Sequence, residues 1–140
     1  VFSCLSPKDS TMGSNEGSQV LRVSLGEFDS LFTGDLEGMG EKDVEQLLEK
    51  DKRSWELLKI AHHGSKYSSS QEFLELVRPR LGIISCAKEN RYGHPHAELL
   101  ERLEDLEILA VQVWQTGAVT ADWDGKNTKV SFHYGKIMLE

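Results

Sequence analysis

The stretch Leu58-Lys59-Ile60-Ala61-His62-His63-Gly64-Ser65 decides the architecture. Trp55–Ala61 is apolar enough to read as a short buried strand, and it stops at two imidazoles, a glycine and a serine. The same pattern lies on either side. Phe28–Thr33 runs apolar and ends at Gly34-Asp35, and Leu81–Ser85 is a continuous apolar run of the kind buried on both sheet faces. Between these runs the spacing turns helical. Glu41–Lys50 places Val44, Leu47 and Leu48 on one face. A second helix starts near Ser70, where Ser69 and Glu72 have capping-box spacing, and stops before Pro79. Pro95 suits the first turn of a third helix carrying Leu99, Leu100, Leu103 and Leu106. The order β-α-β-α-β-α-β predicts an α/β fold with mostly parallel strands and right-handed crossovers.

Working outward, Gln19–Leu25 and Phe28–Thr33 form a hairpin around Gly26-Glu27. Residues 1–18 are rich in Ser, Gly, Asn and Pro and read as a loop or tail, with a short edge strand at Val1–Leu5 as the other reading. Residues 19–140 form the body. Its last third reads as three β segments, Val111–Gln115, Ala118–Trp123 and Lys129–Tyr134, with a turn at Asp124-Gly125.

The chain has 140 residues, 16 Lys and Arg against 23 Asp and Glu, and a formal charge of −7. That is one domain's length, with 39% hydrophobic residues for one core. No apolar run approaches a membrane span, and Val1–Leu5 lacks the length and basic flank of a signal peptide. The acidic balance excludes a basic DNA-coating module. Cys4 and Cys86 make neither a disulfide framework nor a C-x-x-C site and read as free structural thiols.

Parallel strands bring three loops to one carboxyl edge, where open α/β sheets bind ligands. They are Thr33-Gly34-Asp35, His62-His63-Gly64-Ser65 and Asn90 through His96, and they hold four of the five histidines. Imidazole and carboxylate are ligands of zinc and similar ions, yet a catalytic site usually takes three protein ligands. Asp35 also suits a plain turn, and His94 a helix cap. His133, Trp55, Trp114 and Trp123 read as surface or packing residues. Ser65, the Ser68–Ser70 hydroxyls, Lys66, Lys88, Arg91 and the helix start near Pro95 offer local attraction to an oxyanion. No G-x-S-x-G elbow supports a serine triad.

Taken together these loops resemble the second half of a metallo-β-lactamase-fold domain, and more narrowly the C-terminal domain of the ComEC family of competence (DNA-internalisation) proteins. The carrying residues are Asn15-Glu16-Gly17-Ser18, Leu31-Phe32-Thr33-Gly34-Asp35, Leu58 through Lys66, Ser68-Ser69-Ser70, Phe73-Leu74, Arg78-Pro79, Ile83-Ile84-Ser85, Asn90-Arg91-Tyr92-Gly93-His94-Pro95-His96 and Gly117-Ala118-Val119-Thr120. The resemblance implies half of an αββα sandwich, a mixed sheet flanked by helices. It implies a divalent metal, zinc or manganese, with Asp35 bridging two ions and one of His62 and His63 as a ligand. It implies that Asn90, Tyr92, His94 and His96 line the pocket, and that the domain degrades the DNA strand not imported. It also implies a soluble domain of a bacterial integral membrane protein, on the extracellular side, with no membrane contact of its own.

The fold's H-x-H-x-D-H is absent from these residues. It is expected upstream of Val1, in a missing N-terminal half of the domain. The chain alone is then expected to bind metal weakly or not at all, to hydrolyse nothing, and to leave an apolar sheet face that self-associates or lies under a helix. In the complete domain, His62, His63 or His94 would protonate the leaving oxygen, and Ser65 and Lys66 would hold the phosphate. Two other readings stay open: a different metallo-β-lactamase-fold phosphodiesterase, and a non-catalytic α/β module binding DNA or a partner.

Overall fold

Strand pairing follows the alternation. The computed structural model describes residues 1–7, 13–51 and 53–139. Its strands are β1 (Phe2–Ser6), β2 (Val20–Leu25), β3 (Phe28–Phe32), β4 (Leu57–Lys59), β5 (Leu81–Ile84), β6 (Ala110–Gln112), β7 (Val119–Trp123), β8 (Thr128–Phe132) and β9 (Gly135–Leu139). The helices are α1 (Gly38–Leu48), α2 (Gln71–Val77), α3 (Ala97–Asp105) and the single turn α4 (Val113–Thr116). A mixed six-stranded sheet takes the order β1-β2-β3-β4-β5-β6, antiparallel from β1 to β3 and parallel from β3 to β6. Its architecture is that of an α/β fold consistent with half of a metallo-β-lactamase-type sandwich. Among the described residues no helix is long and apolar enough to cross a membrane.

Side-chain alternation sorts the sheet's two faces. Leu31, Leu58, Ile60 and Ile84 pack with Val44 and Leu48 of α1, Phe73, Leu74 and Val77 of α2, and Leu99 and Leu103 of α3. Leu47, expected on the buried face of α1, is 40% exposed. The opposite face uses Phe28, Leu57, Leu81, Ile83 and Val111, which pack on Val119, Ala121, Val130 and Phe132. What covers that face is therefore the antiparallel β7-β8-β9 sheet rather than the expected helix. The cover is partial. Register aligns Phe2 with Val23 and Leu21 with Phe32, on the face that Phe28 shares, and there Phe2, Leu25 and Phe32 are exposed.

Four local readings change. Val111–Gln115 is strand only to Gln112 and then turns helical, and β9 lies beyond the last expected strand. Ser70, not Ser69, caps α2, its hydroxyl accepting from Phe73 N at 3.2 Å. The third helix begins at Ala97 with His96 in the cap position, so Pro95 lies outside it. Pro95 instead packs on Gly64. A Cβ at Gly64 would stand 2.6 Å from Pro95 Cβ, and its φ of +90° already disfavours a side chain. Gly64 O also accepts from His96 N at 3.0 Å. Gly64 thus locks the His-rich third loop onto the second.

The Ser-rich loop after His63 is held from both sides. Glu41 of α1 is 4% exposed and accepts from Ser69 N at 2.6 Å and Ser70 N at 2.9 Å. Arg102 of α3 donates to the carbonyls of Lys66 at 2.8 Å and Ser69 at 2.6 Å. Ser68 and Ser69 are buried, so these serines shape the loop rather than offer an anion hydroxyls, which corrects the sequence reading. Burial raises the Glu41 pKa above 4.5, against the two N–H bonds that lower it. The folded state therefore holds this proton to higher pH than the unfolded chain does, and Glu41 subtracts stability as pH rises from 4.5 through its raised value.

Two predictions follow from these contacts. Glu41→Ala orphans two backbone N–H groups and should cost about 2 kcal/mol in urea unfolding. That loss should narrow as pH rises, and a loss that grew would contradict the burial argument. Gly64→Ala should lower the unfolding midpoint and shift the His94 and His96 NMR signals, whereas unchanged histidine signals would contradict the lock.

Candidate functional site

The carboxyl edge of β3, β4 and β5 brings Asp35, His62, His63, Tyr92, His94 and His96 together. Thr33 and Lys59 build the first turn. Thr33 Oγ1 donates to Lys59 O at 2.6 Å, and Lys59 Nζ donates to Gly34 O at 2.5 Å. Asp35 N donates to Ser18 Oγ at 3.2 Å, which leaves the carboxylate 44% exposed and facing the edge. Lys59 Nζ lies 3.9 Å from Asp35 Oδ1. Burial lowers the Lys59 pKa, with the Asp35 carboxylate opposing the shift.

The chain leaves β4 through two successive left-handed residues, His62 at φ 45° and His63 at φ 55°. Such geometry costs about 1–3 kcal/mol per non-glycine residue and persists only where surroundings impose it. Here His62 N donates to Gly34 O, and Ser65 N closes the turn on His62 O, each at 3.0 Å. The result throws both rings onto the edge.

Hydrogen bonds settle their tautomers. His63 Nδ1 lies 2.6 Å from Ser85 O, a carbonyl that only accepts, so Nδ1 carries the proton. Its Nε2 is then the lone-pair nitrogen, and it stands 3.7 Å from Asp35 Oδ1. His62 Nδ1 lies 3.1 Å from Glu37 Oε2, and Glu37 Oε1 accepts from Asn15 Nδ2 at 2.8 Å. His96 Nδ1 accepts from Lys66 N at 3.0 Å, so its neutral ring is protonated on Nε2. His94 meets His62 and His96 edge-on and stacks on Tyr92. Burial, and then the neighbouring imidazoles of His96, His62 and His63, lower its pKa, with Asp35 opposing, so it is neutral at pH 7.

A cavity of about 330 Å³ opens beside the cluster, lined by His63, Ser85, Cys86, Asn90, Tyr92 and His94 among others. Burial pushes the Cys86 thiol up, so it stays protonated and is a poor ligand or nucleophile. Asn90 organises the third loop. Its Oδ1 accepts from Tyr92 N and His94 N, and its Nδ2 donates to Ala87 O and His94 O. Ser65 is buried with its hydroxyl accepting from Tyr67 N, so it supports the turn rather than facing solvent. Lys66 Nζ reaches Glu98 at 3.2 Å. Trp114, expected to pack, is 39% exposed.

Glu37 and Lys59 escaped the sequence reading. Glu37 stands two residues past Asp35, and Lys59 is, with Glu56, one of two charged residues in the Trp55–Ala61 run. Both were legible as charges next to the motif. Asp35 and His63 together offer two donors to a divalent ion, one short of the usual catalytic minimum. Among the described residues no group of three or more His, Cys, Asp and Glu is placed to hold a metal.

No family model matches the chain. It is 38% identical over 119 residues, 84% of its length, to ComE operon protein 3 of Bacillus subtilis. It is 38% identical over 103 residues to recombination protein 2 of Haemophilus influenzae, and 33% identical over 119 residues to competence protein ComA of Neisseria gonorrhoeae. Those matches cover 73% and 84% of this chain. The chain spans only 15%, 13% and 17% of these three relatives' lengths. At this identity over most of its length, the chain belongs to the ComEC family of competence proteins.

Proposed function

We propose that the chain acts in DNA uptake as the second half of a metal-dependent phosphodiesterase or nuclease domain. The carrying observation is the His63 ring, whose lone-pair Nε2 faces the Asp35 carboxylate while its Nδ1–H is fixed on a backbone carbonyl. That is how protein-held histidine ligands are oriented. Asp35 and His63 would hold a divalent ion, zinc or manganese, with the remaining donors from an upstream half of the domain. When bound, the ion supplies Lewis-acid chemistry at a phosphoryl oxygen.

The other residues take roles that follow from their contacts. His62, oriented by Glu37, carries a proton to the leaving oxygen. Neutral His94 accepts a hydrogen bond and, with Tyr92, walls the pocket. Lys66 and His96 meet the phosphate, and Asn90 positions the loop that presents Tyr92 and His94. The upstream half covers the apolar face that Phe2, Leu25 and Phe32 leave exposed. The relatives' printed names, one a competence protein, support this reading, as does a site that needs donors from elsewhere. The complete protein would sit in a bacterial membrane with this segment on the extracellular side.

In the chain extended upstream through H-x-H-x-D-H, Asp35→Asn and His63→Ala should each lower manganese- or zinc-dependent DNA hydrolysis by about a hundred-fold or more, and chelation should abolish it. His62→Gln should lower the rate with metal content unchanged. Full activity in Asp35→Asn would overturn the assignment. The 140-residue chain should cleave no phosphodiester with either metal, and robust cleavage would contradict the half-site. Light scattering should show that this chain self-associates and that Leu25→Glu with Phe32→Glu restores a monomer. A monomeric wild type would refute an uncovered interface.

A further inference from the structure

At the amino ends of β3, β4 and β5, opposite the histidine edge, charged residues stand where the two sheets meet. A cavity of about 480 Å³ opens there, lined by Asp29, Arg53, Glu56, Arg80, Trp123 and Thr128 among others. That volume suits a small organic ligand. Glu56 and Arg80 directly precede β4 and β5, and Trp123 and Thr128 are register partners beside the β7–β8 turn. The Trp123 ring also meets Phe28 of β3, with ring centres 6.2 Å apart, so part of the wall is aromatic.

The charges are layered. Asp29 and Glu56 are buried, whereas the Arg53 and Arg80 side chains are 41% and 34% exposed. Arg53 Nη1 lies 3.3 Å from Asp29 Oδ1, and Arg53 Nε donates to Asp51 Oδ1 at 2.9 Å. Arg80 Nη1 donates to both Glu56 oxygens at 3.2 Å. Each carboxylate thus lies beneath its arginine and fixes that guanidinium by one nitrogen. Among the described residues, the Nη2 of either arginine has no acceptor, and Lys126 on the same rim has no ion pair. An entering ligand meets the cations first.

Behind them stands an unpaired hydroxyl. Thr128 is 1% exposed, and its Oγ1 has no hydrogen-bond partner among the described residues. Alternation along β8 turns Thr128 to the side of Val130, which packs between the sheets. A buried hydroxyl left without a partner is unfavourable, and a ligand atom that pairs with it relieves the cost.

We propose that this cavity binds a small phosphate monoester bearing a flat ring, with the phosphate on Arg53, Arg80 and Lys126, the ring against Trp123 and a polar atom of the ligand on the Thr128 hydroxyl. Guanidinium groups match phosphate geometry, and a phosphate offers three acceptor oxygens to these separate donors. Glu27, also on the rim, disfavours a longer polyphosphate by like-charge repulsion. The site shares no residue with the histidine edge and stands or falls separately from the DNA-hydrolysis reading.

Calorimetric titration of the 140-residue chain with thymidine 5′-monophosphate, thymidine and inorganic phosphate tests this, alongside NMR of the indole N–H signals, that of Trp123 being assigned with Trp123→Phe. The monophosphate should bind about ten-fold tighter than either fragment and shift the Trp123 signal while the histidine signals stay. Arg80→Lys, which keeps a cation beside Glu56, should weaken it about ten-fold. Thr128→Val should weaken it about five-fold while the thermal unfolding midpoint holds or rises, because a methyl replaces an unpaired hydroxyl. Thymidine binding as tightly as the monophosphate would show that the cations play no part, and phosphate doing so would show that the ring plays none. Either result overturns the proposal, as do absence of binding and binding that moves the histidine signals in place of Trp123. Hydrolysis at the opposite edge is a separate readout that these outcomes leave untouched.

Discussion

The clamp on the loop after His63 is the constraint from which the rest of the site follows. A carboxylate from α1 takes that loop's N–H groups and a guanidinium from α3 takes its carbonyls. Held in this way, the chain keeps two consecutive histidines in the left-handed region, a conformation that only strong surroundings maintain. Gly64 then admits Pro95, and the third loop seats against the second. Helix packing far from the chemistry thus sets the direction of the imidazoles.

What results is an edge that sets one carboxylate against one imidazole nitrogen. Asp35 and His63 face one another with no third metal-type donor among the described residues, and Lys59 stands near the carboxylate. His94, its pKa lowered by burial and then by the neighbouring imidazoles, brings no positive charge of its own to the edge at pH 7. The arrangement is coherent if further donors arrive from elsewhere, and the uncovered part of the sheet face lies ready for the same element.

Much of this was legible from apolar runs ending in polar loops. The order of strands and helices, the parallel sheet and the meeting of three loops follow from alternation, because crossover rules leave few topologies. The stop at Pro79 and the Gly26-Glu27 hairpin follow from backbone restrictions. Other features rest on tertiary contacts that periodicity does not encode. The helical turn at Val113 interrupts a β-prone run, and Ser69 leaves the cap to Ser70 because its own hydroxyl accepts from Ala61 N in the neighbouring turn. The serines looked like an anion site because their hydroxyls were visible in the sequence and the buried carboxylate holding their N–H groups was not. Glu37 and Lys59 were visible as charges, but their roles depend on which way a strand faces.

The tautomer of His63 tests the central claim most directly. Long-range nitrogen–proton NMR of the histidine side chains at pH 7.5 should show His63 protonated on Nδ1, with its Nε2 free for a ligand, and His96 protonated on Nε2. A His63 protonated on Nε2 would mean that its lone pair faces away from Asp35, and the half-centre would not exist.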